Sequence, residues 1–359
     1  MTSGTQDFLI YGIQQIGVGV DNIDSAFRWY GTHLGADISV FDDDNVATYM
    51  APYMGGQPHK KRAIFALNLQ GGSGFELWQY LDRKPSFPKE AIAIGDFGIA
   101  ISKIKSRDIQ KSFDRLKKQG VKVISDIAVG LDEIKCFYIQ DPWNNILQIK
   151  ESFDWLQNGK IDVGGVFGCT IGVSDIDASK KLYSDILGYN KVIYNETGTF
   201  DDLATLPNGK GKFRRVLLTH EDNRRGGFSR MFKSSQIELI QSIDDYTPKK
   251  IYANRYWGDI GYIHLCFDIR NINALMQKCA ETGFPFSVRS SETFDMGEAG
   301  GGWGYLEDSD GTLIEFVETH KVPILKKLKI GINLMKRDPH KPLPKWLIKG
   351  LSFKRVKFK

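Results

Sequence analysis

The chain has 359 residues, of which 42% are apolar and 25% charged, so it can bury a substantial core without disulfide or metal staples. No apolar run is long enough to cross a bilayer, and the start MTSGTQDFLIYG lacks the basic, apolar pattern of a secretory signal. Cys136, Cys169, Cys266 and Cys279 lie far apart and form neither a disulfide framework nor a C-x-x-C zinc pattern, which points to reduced thiols and a cytoplasmic setting.

The net charge of +5 is unevenly placed. From Lys321 onward, 13 basic residues face the single acid Asp338, a tail charge of +12 that leaves −7 on the preceding residues. An acidic body of this kind is not a nucleic-acid binder.

In chain order, the first signal is a β-rich run, QQIGVGV, followed by a capping Asp or Asn and a helix that stops at Gly35. The same pattern returns later. Ile16–Gly35 reads IGVGVDNIDSAFRWYGTHLG and Ile171–Gly188 reads IGVSDIDASKKLYSDILG. On one offset, Ile23, Asp24, Tyr30, Leu34 and Gly35 fall on Ile176, Asp177, Tyr183, Leu187 and Gly188. Ile109–Gly120 matches Ile272–Gly283, and DPWNNILQIKE from Asp141 matches DSDGTLIEFVE from Asp308. Strands such as RAIFALNL, GFELWQY, KCFYIQD and SQIELIQ fill the intervals. The result is four strand–helix–strand–strand–strand units near 9–82, 95–152, 165–243 and 258–320.

The V-D-N-I-D and V-S-D-I-D strand ends, the helices ending in L-G and the DGTLIEFVE strand resemble the vicinal oxygen chelate superfamily, across nearly all of residues 9–320. That group includes glyoxalase I, bleomycin-resistance proteins, methylmalonyl-CoA epimerase and extradiol dioxygenases. The resemblance implies an α+β fold of four βαβββ units in two curved, incomplete β-barrel domains, each with consecutive units closing on one another. Residues 1–152 would be the first domain, 153–164 a linker, 165–320 the second domain and 321–359 a basic tail.

The family's ligands come from the first and last strands of each unit. In the second half the matching positions are Gly168, Glu238, His264 and Glu315; in the first they are Gln15, Glu76, Ile101 and Gln148. Glu238, His264 and Glu315 each interrupt an apolar strand, where an uncompensated charge is costly. Together they make a site for one hard divalent cation, with Zn, Ni, Co, Mn and Fe not distinguished. Glu76 is the only ionic group among the first-half positions, so that half reads as structural, without metal.

Glu315 resembles the superfamily's catalytic glutamate by strand position. The expected activity is proton transfer, by an isomerase or lyase, on a small oxygen-rich carbonyl substrate. Arg230, Arg255, Trp257 and Trp303 are candidate substrate contacts. A non-catalytic small-molecule or lipid binder of the same fold is the alternative. A ring-cleaving dioxygenase stands third, because the facial triad of that chemistry needs a second histidine and Gly168 stands at its position. AGGGWG (299–304) reads as a tight turn or a lid.

In the tail, Leu325, Leu328, Ile332 and Met335 have helical spacing, and a proline-broken linker then leads to Trp346 and Phe353. This pattern suggests a peripheral contact with an anionic membrane, against the alternative that the tail folds back on the acidic body.

Overall fold

A computed structural model of the chain describes residues 8–221, 224–232, 234–290, 294–295, 300–325 and 330–358. Each unit opens as its sequence predicts. The Leu9–Gly19 strand runs into helix Ile23–Leu34, whose first turn is capped by the Asn22 side chain accepting from the Ser25 amide. Ile23, Ala26, Phe27, Tyr30 and Leu34 bury one face of this helix, and Gly35 ends it in the left-handed conformation (φ 67°). Asp108, Asp175 and Asn271 cap the equivalent helices.

Among the described residues the strands form a sheet of ten and a sheet of nine. In the larger sheet the order is Phe286–Arg289, Gly300–Glu307, Leu313–Leu325, Gly261–Arg270, Leu9–Gly19, Gly74–Tyr80, Lys60–Leu67 and Ile38–Val46. This sheet therefore joins the first unit to the fourth. The smaller sheet joins the second to the third, with Gly98–Ser106 antiparallel to Val163–Gly172 at its centre. Four units and two sheets are present as expected, but the expected closure of consecutive units on one another is not. Each half of the chain gives one unit to each sheet.

The halves are tied internally by two matching buried hydrogen bonds. Tyr30 donates to Asp141 at 2.6 Å, and Tyr183 donates to Asp308 at 2.9 Å. These are the residues that align in the sequence repeats. Each bond carries a helix of one sheet's unit onto a turn of the other's, and the main core lies between them, with Val18, Phe75, Phe137, Val166, Leu239 and Phe267 all within it. All four cysteines are buried and unpaired.

The tail departs from its predicted form. The last long strand runs on through Leu325, and Ile330–Asn333 pairs back against it, so Leu325 and Ile332 belong to strands; Leu328 and Lys326, Lys327 and Lys329 lie outside the described residues. The remainder folds back on the body. Leu334, Leu343 and Ile348 are buried with Tyr11, Phe65 and Phe232, and the Val356 amide donates to the Asp37 carbonyl. Trp346 and Phe353 stay exposed, at 60% and 94%. Gly300–Glu307 is a paired strand in the larger sheet, not a turn or lid. No described helix is long and apolar enough to cross a membrane.

Candidate metal centre

Three strands of the larger sheet bring Glu76, His264 and Glu315 together, with one donor atom from each within 4.8 Å of the others. Strand pairing explains the meeting. Gly17 lies opposite both Glu76 and His264, and Glu315 is in register with Cys266 on the next strand. The glycine is required here, because a Cβ at position 17 would sit 2.4 Å from the imidazole Cε1.

His264 Nε2 is 3.2 Å from a Glu76 oxygen and 3.1 Å from a Glu315 oxygen. Neither approach has hydrogen-bond geometry: both imidazole nitrogens and Glu315 Oε2 are buried without a partner. Gln15 extends the group. Its amide donates to Glu76 at 3.0 Å, and its own Oε1 is also buried and unpartnered.

Burial opposes a charge on His264, but the Glu315 and Glu76 carboxylates outweigh it and push the imidazole up to about 9. Burial likewise opposes the Glu315 charge, and His264 overrides it, holding that carboxyl below its usual range. Burial and the Glu315 charge raise the Tyr305 phenol far above normal, so it stays protonated.

Aromatic rings wall the group. Trp257 stacks on His264 at 6.1 Å and Tyr305 meets it edge-on at 5.5 Å, with Trp78 and Trp303 behind them. Both predicted tryptophans, Trp257 and Trp303, therefore belong to this wall.

Other expected residues do not. Glu238 is in the smaller sheet, apart from His264 and Glu315, and its oxygens are fully engaged. Lys103 reaches Oε2 at 2.7 Å and Arg215 reaches Oε1 at 2.7 Å, while Thr170 and Tyr194 donate at 2.8 and 2.6 Å. Burial opposes its charge, but Arg215 and Lys103 prevail and hold the carboxyl well below the usual range. Gly168 lies in the same sheet, where a Cβ would strike the Gln236 carbonyl at 2.1 Å, so it leaves no open position beside His264. Arg255 is spent on the Ile260 and Ile251 carbonyls, and Arg230 lies by the tail, bonded to the Leu343 carbonyl.

The residues that sequence reasoning missed are Gln15 and Glu76. Both stood at family positions, and Glu76 interrupts GFELWQY as Glu315 interrupts its own strand. They were set aside because the first unit was paired with the second.

Family models carry the assignment further. Two models of the glyoxalase/bleomycin resistance protein/dioxygenase superfamily match residues 12–149 and 169–301, together well over half of the chain. The chain belongs to this superfamily. Among solved structures, a proposed dioxygenase from Bacillus subtilis aligns over 98% of this chain and 98% of its own, at 14% identity and a TM-score of 0.56. Glyoxalase I from Zea mays aligns over 86% of this chain and 92% of its own, at 13% identity and a TM-score of 0.51. At such identities these likenesses speak for the superfamily fold alone. No curated protein matches the chain.

The donor set fits a divalent cation. Two carboxylates and an imidazole are hard and borderline donors that converge on one point, and the unpartnered buried atoms of His264 and Glu315 are ones a cation would engage.

Proposed function

We propose that this protein is a metal-dependent enzyme of the glyoxalase type, catalysing proton transfer on a small carbonyl substrate with neighbouring oxygens, such as an α-hydroxy or α-keto compound. The observation that carries the reading is the convergence of Glu76, His264 and Glu315, with both imidazole nitrogens and Glu315 Oε2 buried and without a hydrogen-bond partner. Gln15, Glu76, His264 and Glu315 would hold the cation. A divalent ion so bound supplies Lewis-acid stabilisation of an enolate or alkoxide.

The chain's own residues divide the remaining work. Glu315 takes the substrate proton, as its buried Oε2 has no hydrogen-bond partner within the protein. Glu76 is held in place by the Gln15 amide, and its side chain is the most exposed of the three. That exposure marks the side from which substrate enters. Trp257, Tyr305 and Trp303 exclude water and offer apolar faces to the rest of the substrate. Ring-cleaving oxygen chemistry fits less well, since Gln15 stands where its triad would take a second histidine.

The test combines metal analysis with solvent deuterium incorporation into candidate α-hydroxy and α-keto carbonyl compounds. Wild type should retain one divalent metal per chain and catalyse exchange. His264→Ala should purify without metal, and Glu315→Gln should keep much of its metal but lose exchange. Equal metal in wild type and His264→Ala, or full exchange by Glu315→Gln, ends the proposal.

A further inference from the structure

Away from the metal centre, a cleft of about 370 Å³ opens between the loop before the Gln236–Ser242 strand, the linker and the tail. Its volume is that of a small-ligand site. Among the described residues Arg224, Arg225, Arg230, His220 and His340 line it, against one carboxylate, Asp154. That carboxylate is already engaged: its Oδ2 accepts from both the amide and the hydroxyl of Ser234, at 2.8 Å each.

Part of the cleft is preorganised. The Arg224 guanidinium lies 5.1 Å over the Tyr189 ring and donates to the Leu187 carbonyl. His220 packs against the same ring at 6.0 Å, and its Nε2 accepts from the Ser235 amide. The other two arginines are unspent. Among the described residues, neither Arg225 nor Arg230 has a carboxylate partner, and the one hydrogen bond of Arg230 is a 3.4 Å contact with the Leu343 carbonyl.

From these observations we infer that the cleft is an anion site for a phosphate group. Arg225 and Arg230 carry guanidinium forks whose planar paired donors match phosphate oxygens, and Arg224 adds positive charge beside them. The tail helps to build the site, since His340 and Pro342 line it and the Leu343 amide is held by the Gly227 carbonyl. The RRGGFSRMF segment, which the metal centre does not use, thereby acquires a role. The phosphate could belong to a soluble phosphorylated compound or to a phospholipid headgroup. The second source is raised by the exposed Trp346 and Phe353 further along the same tail.

The experiment measures binding of pyrophosphate by calorimetry, and of phosphatidylglycerol and phosphatidylcholine vesicles by co-sedimentation, to the full-length protein. His264→Ala, lacking the metal, should bind pyrophosphate as wild type does, which separates the cleft from the metal centre. Arg225→Gln with Arg230→Gln should weaken binding by about tenfold or more, the loss of at least one charge-assisted contact. If pyrophosphate shows that pattern, the ligand is soluble. If only phosphatidylglycerol vesicles bind, and both the arginine pair and Trp346→Ala with Phe353→Ala abolish it, the phosphate is a headgroup. Should the double variant fail to fold, Arg225→Gln alone carries the test, because this exposed side chain makes no bond to the described residues. Absence of binding in every arm, or binding indifferent to the arginines, overturns the inference.

Discussion

The two sheets place a carboxylate at equivalent points, the half-buried Glu76 in one and the buried Glu238 in the other, and resolve it oppositely. Each lies on a strand parallel to its unit's first strand, Glu76 level with Gly17 and Glu238 level with Thr170. In the smaller sheet the positive charge is covalent. Lys103, in register with Gln148, extends its ammonium to both Gln148 and Glu238, and Arg215 closes the other side. In the larger sheet Cys266 occupies the position of Lys103 in the corresponding register with Glu315. Among the described residues no lysine or arginine pairs with Glu76 or Glu315, and both His264 nitrogens and Glu315 Oε2 lack a hydrogen-bond partner. One ancestral arrangement thus supports either a salt-bridged core or a cation site, depending on whether the protein supplies its own cation.

The comparison can be broken in several ways, taken here from the largest expected effect. Truncation after His320 removes Leu334, Leu343 and Ile348 from the cluster that packs on the larger sheet. At roughly 1.5–3 kcal/mol for each buried side chain, the loss should be several kcal/mol by denaturant unfolding. A truncated chain of unchanged stability would show that the tail does not complete the larger sheet.

Glu238→Gln strands the Lys103 charge in the core, leaves Arg215 with Asp202 alone, and should cost about 3–5 kcal/mol, with metal content unchanged. Glu76→Gln should do the reverse, losing metal while the metal-free protein changes by no more than about 1 kcal/mol. Parallel unfolding curves and metal analyses on the two variants decide this. Equal behaviour would erase the distinction between the sheets.

Chelation acts on the larger sheet alone. At free metal about 100 times its dissociation constant, the bound ion contributes about 2.7 kcal/mol. Stripping it should lower the melting temperature of wild type and of Glu238→Gln by similar amounts, but leave His264→Ala unmoved.

The smallest effect is in acid. The Glu238 carboxyl sits well below its ordinary 4.5 in the folded state. Its stabilisation is therefore complete above that unfolded value and is lost as pH falls through the lower folded one. Wild type should show a steeper loss of stability below about pH 4 than Glu238→Gln, whose unfolding should lack this component.

Much of this was legible in the sequence. Capping residues and the glycines after each helix located the four units, and the aligned Tyr30/Tyr183 and Asp141/Asp308 pairs were the buried bonds that tie the halves. Of the candidate ligands, His264 and Glu315 were legible, because a carboxylate or imidazole inside an apolar strand needs a partner, and the same signal at Glu238 marked a salt-bridged core instead. Unit pairing was not. Strand edges of similar composition do not reveal which neighbour they take, and adjacency along the chain favoured the wrong one. A better signal was present in the polar residues themselves. The first and fourth units hold Gln15, Glu76, His264 and Glu315, whereas the second holds Ile101, which can bind nothing. The tail misled for a different reason: its apolar spacing suits a helix, but the backbone at Leu325 and Ile332 extends an existing sheet edge.

The pairing of first unit with fourth has a topological consequence. Gln15 and Glu76 belong to the half of the chain before the 153–162 connection, and His264 and Glu315 to the half after it. Neither half contains a complete centre, so the cation would act as a clasp between distant stretches of one polypeptide. Cutting the connection would yield two fragments that each present half of a ligand set and open sheet edges at Leu9–Gly19 and Gly261–Arg270. Mixed together, such fragments have a chemical reason to find one another, and recovered metal binding would report their reunion.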